Sequence, residues 1–191
     1  MKNKRKIIGI SCLSIGLFMV LYTLTSYWTI NTITKQPVLH PNRIMDLSNL
    51  RQVHAGEKIG AIIVPNKSKT IPVYEGTSAK ILEKGVGHYR KSAFPGENNN
   101  VVLSGHRDTF FKFLKELKKN DSLILETTDK DYEYKITKFS IVASNDTTIL
   151  SPKSRPILTL TTCYPFSYIG NAPKRYIVTA ELIKTIDLAN K

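Results

Sequence analysis

Ile157-Leu-Thr-Leu-Thr-Thr-Cys163 is followed at once by Tyr164-Pro165. The run begins as an apolar/polar alternation. Ile157 and Thr159 fall on one face of a strand and Leu158 and Leu160 on the other, as a period of two requires. Thr159, Thr161 and Thr162 add β-branched stiffness. Pro165 has no N–H to give to a ladder, so the strand ends before it or lies at a sheet edge. A thiol therefore emerges at the end of a rigid strand, beside a loop, where a nucleophile is well placed. The plainer reading is a small buried hydrophobe, since free cysteine is among the most buried residue types and only its reactivity separates the two cases.

Outward from this strand, further short strand-like runs bounded by turn residues follow. Ile59–Val64 runs to Pro65, and Ile71–Tyr74 runs to a turn at Gly76. Val86–Tyr89, Val101–Ser104, Asp121–Thr127, Tyr132–Ala143 and Arg175–Ile183 complete the set. Thr77 or Ser78 opens a short helix that ends near Gly85. Thr109–Leu117 reads as a second helix, with Asp108 or Thr109 as N-cap and Phe110, Phe113, Leu114 and Leu117 as its apolar stripe. About eight short strands with turn signals and little helix make a mainly β domain, a barrel or sandwich. Closure would also remove exposed edges. There is no internal repeat and no low-complexity tract.

The opening of the chain has a different character. A basic tail, residues 1–6, precedes an uncharged apolar stretch over 7–28, and no charge follows until Lys35. About 20 apolar residues span a bilayer as a helix. Tyr22, Tyr27 and Trp28 stand at its far end, where aromatic rings favour the interface. The positive-inside rule puts the tail in the cytoplasm and the rest outside. A cleaved signal peptide is the rival, but its apolar region is shorter and ends in a small-x-small site, which is missing before Lys35. The expected organisation is a single-pass anchor over 7–28, an extracellular tether over 29–56 with one helical turn near Met45–Val53, and a catalytic domain over 57–191.

Hydrophobic residues make up 41% of the 191, enough for a core and too many for a disordered chain. Lys and Arg number 28 against 15 Asp and Glu, a net charge of +13. The first 30 residues hold four of the basic residues and no acidic one, so the remainder is still at +9. Such a body favours anionic surroundings. With no dense basic block interleaved with aromatics, nucleic-acid binding is not expected. No metal-ligand spacing appears, and no cofactor is called for.

An exported domain is ordinarily read for disulfides, yet Cys163 has no partner outside the membrane, because the only other cysteine is Cys12 within the anchor. A lone exported thiol is buried and inert or reactive for a purpose. A reactive one needs a proton partner. His40 and His54 lie in the tether, which leaves His88 and His106. His106 leaves the end of a strand through Gly105, as Cys163 leaves the end of its own, and is favoured. Either of the two also reads as a satisfied structural histidine, the commoner fate of a lone His, and it is the lone exported thiol that tips the choice to His106. Arg175 begins the strand after the cysteine. An antiparallel return would bring it to Cys163, where its fork of donors suits a developing oxyanion.

Thr159-Leu-Thr-Thr-Cys163, with Arg175 12 residues on and Gly105-His106 57 residues back, resembles the TLxTC signature and catalytic order of the sortases. These are membrane-anchored transpeptidases of Gram-positive surfaces. Gly85-Val-Gly-His-Tyr89, Ser104-Gly-His-Arg-Asp-Thr-Phe-Phe111 and Cys163-Tyr-Pro-Phe166 are most similar to class D. No Asp-Pro-Trp or Asp-Pro-Phe lid of the pilin-polymerising class stands in the tether, and no second span follows the barrel. The resemblance implies an eight-stranded sortase-type β-barrel with one or two short helices. It implies an LPxTG-like sorting signal as substrate and a peptidoglycan precursor or other amine as acceptor. Cys163, His106 and Arg175 would be nucleophile, acid/base and oxyanion or substrate holder. Ser104, Thr162, Tyr168 and Ile169 are expected to touch the substrate, and Asp108 is weighed as an orienter of His106 against a simple N-cap. Two rivals remain: a Cys-His peptidoglycan peptidase, and a non-enzymatic basic β-module that binds wall polymers with Cys163 buried.

Overall fold

The computed structural model describes residues 15–25, 53–167, 170 and 172–188. The chain divides into two compact units, Met1–Gln36 and Pro37–Lys191.

In the first unit, residues 15–25 are helical. Thr23 and Thr25 donate their hydroxyls back to the carbonyls of Val20 and Tyr22, at 2.8 and 2.9 Å. The polar atoms are thus spent on the helix itself, while Leu17, Phe18, Met19, Val20 and Leu21 stay exposed. Among the described residues no helix is long and apolar enough to cross a membrane. Half of the expected anchor, and nearly all of the tether with its helical turn, lie outside the described residues.

The second unit holds eight strands: β1 (Lys58–Val64), β2 (Lys69–Glu75), β3 (Val86–His88), β4 (Asn100–Ser104), β5 (Ser122–Glu126), β6 (Lys130–Ala143), β7 (Ile157–Tyr164) and β8 (Lys174–Asp187). They close into a barrel in the order β1-β2-β3-β4-β7-β8-β6-β5, and β5 pairs back onto β1. Closure leaves no free edge, so a central strand can end at a proline without exposing a ladder. β7 is such a strand. It lies between β4 and β8 and stops at Tyr164, one residue before Pro165.

Period-two alternation sets the core. Leu158 and Leu160 of β7 and Val178 and Ala180 of β8 are 0% exposed and face the interior with Ile62, Val73, Leu103 and Leu123. Ile157, Thr159, Thr161 and Cys163 share the outer face. The pairing of β4 with β7 is parallel, with Ser104 opposite Thr161. Both strands therefore deliver their C-terminal ends to the same rim of the barrel.

A single turn of α-helix, α1 (Ala79–Leu82), follows β2, with Ser78 at the N-cap position but no side-chain cap bond. The expected helix over Thr109–Leu117 is replaced by a 3-10 helix at Lys112–Glu116. Its bonds run from Lys112 N–H to Thr109, Leu114 N–H to Phe111 and Leu117 N–H to Leu114. Phe111 is as deeply buried as Leu114, and Phe110, Phe113 and Leu117 are buried too. Five apolar side chains in eight residues exceed one α-helical stripe. The tighter three-residue turn stacks Phe111 over Leu114 and drives the segment into the end of the core.

Candidate active site

Cys163 and Arg175 are direct partners in the antiparallel β7–β8 register. Residues opposite one another share a face, so thiol and guanidinium both belong to the outer face at the strand end. Cys163 is half-buried and is the free cysteine among the described residues. Arg175 is also half-buried, and its Nη1 donates to the carbonyls of Ala172 and Lys174, at 3.2 and 3.0 Å. Those bonds hold the guanidinium at the start of β8.

His106 reaches the same rim from the other side of β7. Ser104 is opposite Thr161, and Gly105 N–H continues the ladder to the Thr161 carbonyl at 3.3 Å. His106 is the next residue and is exposed. Three elements thus bring imidazole, thiol and guanidinium to one end of the barrel, with β7 in the middle. The His106 ring makes no hydrogen bond among the described residues, so backbone rather than a side-chain partner sets its place. Asp108 is exposed, and its side chain neither orients His106 nor caps the 3-10 helix.

His88, the other histidine weighed for the proton partner, is elsewhere. It is 0% exposed, with Nδ1 2.7 Å from Glu75 Oε2 and Nε2 2.9 Å from the Ala93 carbonyl. The carbonyl can only accept, so Nε2 carries a proton. Arg90 Nε stands 3.4 Å from the second oxygen of Glu75, and Phe94 packs on the imidazole with ring centres 4.9 Å apart. This histidine is satisfied on both nitrogens inside the fold and faces no opening.

Of the expected substrate contacts, Ser104 is half-buried on the face that carries Thr161 and Cys163. Thr162 is 2% exposed, and its hydroxyl donates to the Gly105 carbonyl at 2.7 Å. Its hydroxyl is therefore given to the chain. Tyr168 and Ile169 lie outside the described residues.

Two features were not foreseen. The first is a cleft of about 490 Å³ on the outer face below the rim. Its floor is Ile157 and Thr159 of β7 with Ile177, Thr179 and Glu181 of β8, and the β6–β7 connection walls it with Thr148, Ile149, Lys153 and Arg155. Ile177 is opposite Thr161, so the cleft begins one pleat, about 7 Å, below the thiol. Arg155 Nη1 pairs with Glu181 Oε2 across it at 3.3 Å. The outward-facing Ile157 and Ile177 were the signal in the sequence: two apolar residues on the solvent side of a barrel call for a cover. The second feature is an aromatic cluster on the opposite face of the same strand ends. Tyr176 stacks on Tyr164 with centres 6.1 Å apart and meets Phe166 edge-on at 5.2 Å. Burial, and after it the nearby Tyr164, raises the Tyr176 pKa. Among the described residues no group of acidic, His and Cys side chains could hold a metal ion.

The sortase domain model matches residues 62–183. Sortase D of Bacillus subtilis (strain 168) is 49% identical over 124 residues, 64% of this chain and 63% of that protein. Sortase SrtE1 of Streptomyces coelicolor is 28% identical over 188 residues, and the match takes in 52% of its length. The chain thus spans less than two thirds of either relative. The solved catalytic domain of B. anthracis SrtD is 40% identical, with a TM-score of 0.61, and the match covers 77% of this chain and 97% of that one. The closed eight-stranded barrel agrees with these neighbours. The matched model runs from Ile62 in β1 to Ile183 in β8 and takes in the rim that carries His106, Cys163 and Arg175, and on that ground the chain belongs to the sortase family.

Proposed function

We propose that this chain is a membrane-anchored cysteine transpeptidase that cuts an LPxTG-like sorting signal after its Thr and joins the protein to an amine of the cell wall. The observation that carries the reading is the register of Cys163 opposite Arg175, with His106 delivered to the same rim by β4. A thiol, an imidazole and a held cation at one rim of the barrel, beside a cleft, are what acyl transfer through a thioester requires.

The Cys163 sulfur attacks the Thr carbonyl carbon, and the carbonyl oxygen takes the electron pair. The Arg175 guanidinium stabilises that oxyanion. Collapse breaks the C–N bond, and His106 gives its proton to the departing amine. The product is a thioester on Cys163 and a released C-terminal segment. An acceptor amine then attacks the thioester, His106 takes the amine's proton, and the thiolate leaves. Two steps separated by a covalent intermediate let an amine compete with water.

The cleft suits an extended peptide. Four residues of strand cover about 13 Å, the span from the Thr159 level of the cleft to Cys163 on one face. The apolar floor at Ile157 and Ile177, with Ile149 in the wall, suits the Leu-Pro end of such a signal. Tyr168 and Ile169 are proposed as further contacts from the β7–β8 loop. The helix over 15–25, apolar on its exposed surface, supports an anchor over 7–28 that leaves residues 57–191 outside the cell. Similarity to Sortase D and SrtD favours a class D type of substrate choice.

The test is turnover of sorting peptides by the full chain in detergent micelles, with and without an amine. Cleavage alone in the presence of amine, with no ligated product, would favour a peptidase. Absence of cleavage together with a slowly alkylated thiol would favour the binding module.

A further inference from the structure

The cleft outside β7 and β8 is longer than a Leu-Pro-x-Thr signal. Thr159, four residues before Cys163, is opposite Thr179, and Ile157, six residues before it, is opposite Glu181. All four line the cleft. At about 3.3 Å per residue, these levels lie about 13 Å and about 20 Å from the thiol along the strand. A signal with its Thr carbonyl at Cys163 has its Leu three residues back, about 10 Å down. The cleft therefore continues for about 10 Å, three residues of extended chain, beyond the Leu.

The chemistry of the lining changes along that length. Toward the rim it is uncharged, with Ile177 beside Ser140 of β6. Lys138 of β6 is opposite Thr179, at the Thr159 level. Arg155 meets Glu181 at the Ile157 level, and Lys153 lies in the same wall. All the charged lining residues thus stand beyond the Leu position, three cations against one carboxylate. The wall that carries two of them is built into the fold. Asn99 Oδ1 accepts the Lys153 N–H at 2.8 Å, and Asn100 Nδ2 donates to the carbonyls of Ile149 and Ser151 at 2.9 and 3.2 Å. The Arg155 and Glu181 side chains are 69% and 38% exposed, and a pair so exposed is weakly held. Arg155 can exchange Glu181 for a carboxylate that arrives with the substrate.

We infer that the far half of the cleft is a subsite for the chain upstream of the sorting signal, where Lys138, Lys153 and Arg155 select an acidic side chain within the three residues before the Leu. The inference rests on the transpeptidase reading and adds to it a charge requirement outside the signal itself. An Asp or Glu at those positions meets three cations with only Glu181 opposed, and a Lys meets the reverse.

The test uses the full chain in micelles and three peptides that share one Leu-Pro-x-Thr-Gly core and differ only in the three residues before it: Asp, Gly or Lys throughout. The expected kcat/KM is about 3- to 10-fold higher for the Asp peptide than for the Gly peptide, and lower again for the Lys peptide. The ratio should shrink toward unity at about 0.5 M salt. The double variant Lys153→Ala with Arg155→Ala should lose most of the Asp preference, and Arg155→Glu should turn it toward the Lys peptide. Lys118 and Lys119 are exposed and line no part of the cleft, so their joint change to Ala should keep the wild-type ratio. Equal kcat/KM for the three peptides in wild type would overturn the inference. So would an Asp preference that survives in the double variant, or one that falls as far in the Lys118 and Lys119 variant, since either would assign it to the basic body as a whole. If the wild type cleaves no peptide, the transpeptidase reading fails by itself. Fluorescence anisotropy of the same labelled peptides on Cys163→Ala then decides the subsite, and equal binding of all three would exclude it.

Discussion

At the residue scale, two histidines that look alike in the sequence have opposite fates. His88 is sealed with Glu75, and His106 stands exposed at the rim. Their variants should differ accordingly. His106→Ala should leave Tm near wild type and remove peptide turnover. His88→Ala leaves the Glu75 carboxylate buried without its main partner and should cost about 3–5 kcal/mol in urea unfolding, while the folded fraction still turns over. Arg175→Lys keeps the charge but loses the planar fork, and kcat should fall by about 100- to 1,000-fold, the scale of one lost oxyanion donor. The place of His106 at the rim could be favoured from the sequence because His106 follows a strand directly. The burial of His88 could not, since it depends on Glu75, 13 residues away and placed opposite it by the β2–β3 pairing.

At the element scale, the strands were legible because short apolar and β-branched runs bounded by Pro, Gly and Asn mark each one separately. The observed β1 to β8 fall within a few residues of those runs. What the runs do not carry is who pairs with whom. The parallel β4–β7 pair, which brings His106 and Cys163 to one rim, joins residues 57 apart and is set by closure of the whole barrel. The segment after His106 was misread as an α-helix because its stripe omitted Phe111. That ring is wedged against Gly105, and the turn tightens to 3-10 around it. Gly105→Ala should therefore move the His106 turn. A loss of kcat larger than the loss of Tm explains, measured by peptide turnover beside thermal unfolding, is the expected outcome. The cleft is an element-scale feature as well, built where the β6–β7 connection covers two outward isoleucines.

At the scale of the whole molecule, the closed barrel encloses tyrosines whose hydroxyls have no hydrogen-bond partner among the described residues, Tyr132 and Tyr134. Burial, with a smaller push from Asp129 and Asp187, raises the Tyr132 pKa from 10.0 to about 12. Burial raises that of Tyr134 as well. A folded pKa above the unfolded one means that the folded state keeps its proton when the unfolded state has lost it. The stability this represents is intact below pH 10 and is lost as pH rises toward about 12. For Tyr132 it amounts to roughly 2–3 kcal/mol. Tyr132→Phe should unfold at higher pH than wild type when alkaline denaturation is followed by circular dichroism. It should be no less stable at neutral pH, since an unpartnered buried hydroxyl is removed.

The central claim is that Cys163 carries the acyl group. Intact-mass spectrometry of the full chain, quenched in acid during turnover of an LPxTG-like peptide, measures this most directly. The expected result is a mass increase equal to the acyl portion of the peptide, located on Cys163, discharged by an added amine into a ligated product, and absent in Cys163→Ala. Peptide cleavage with no adduct at any time, or an adduct that persists in Cys163→Ala, would contradict it.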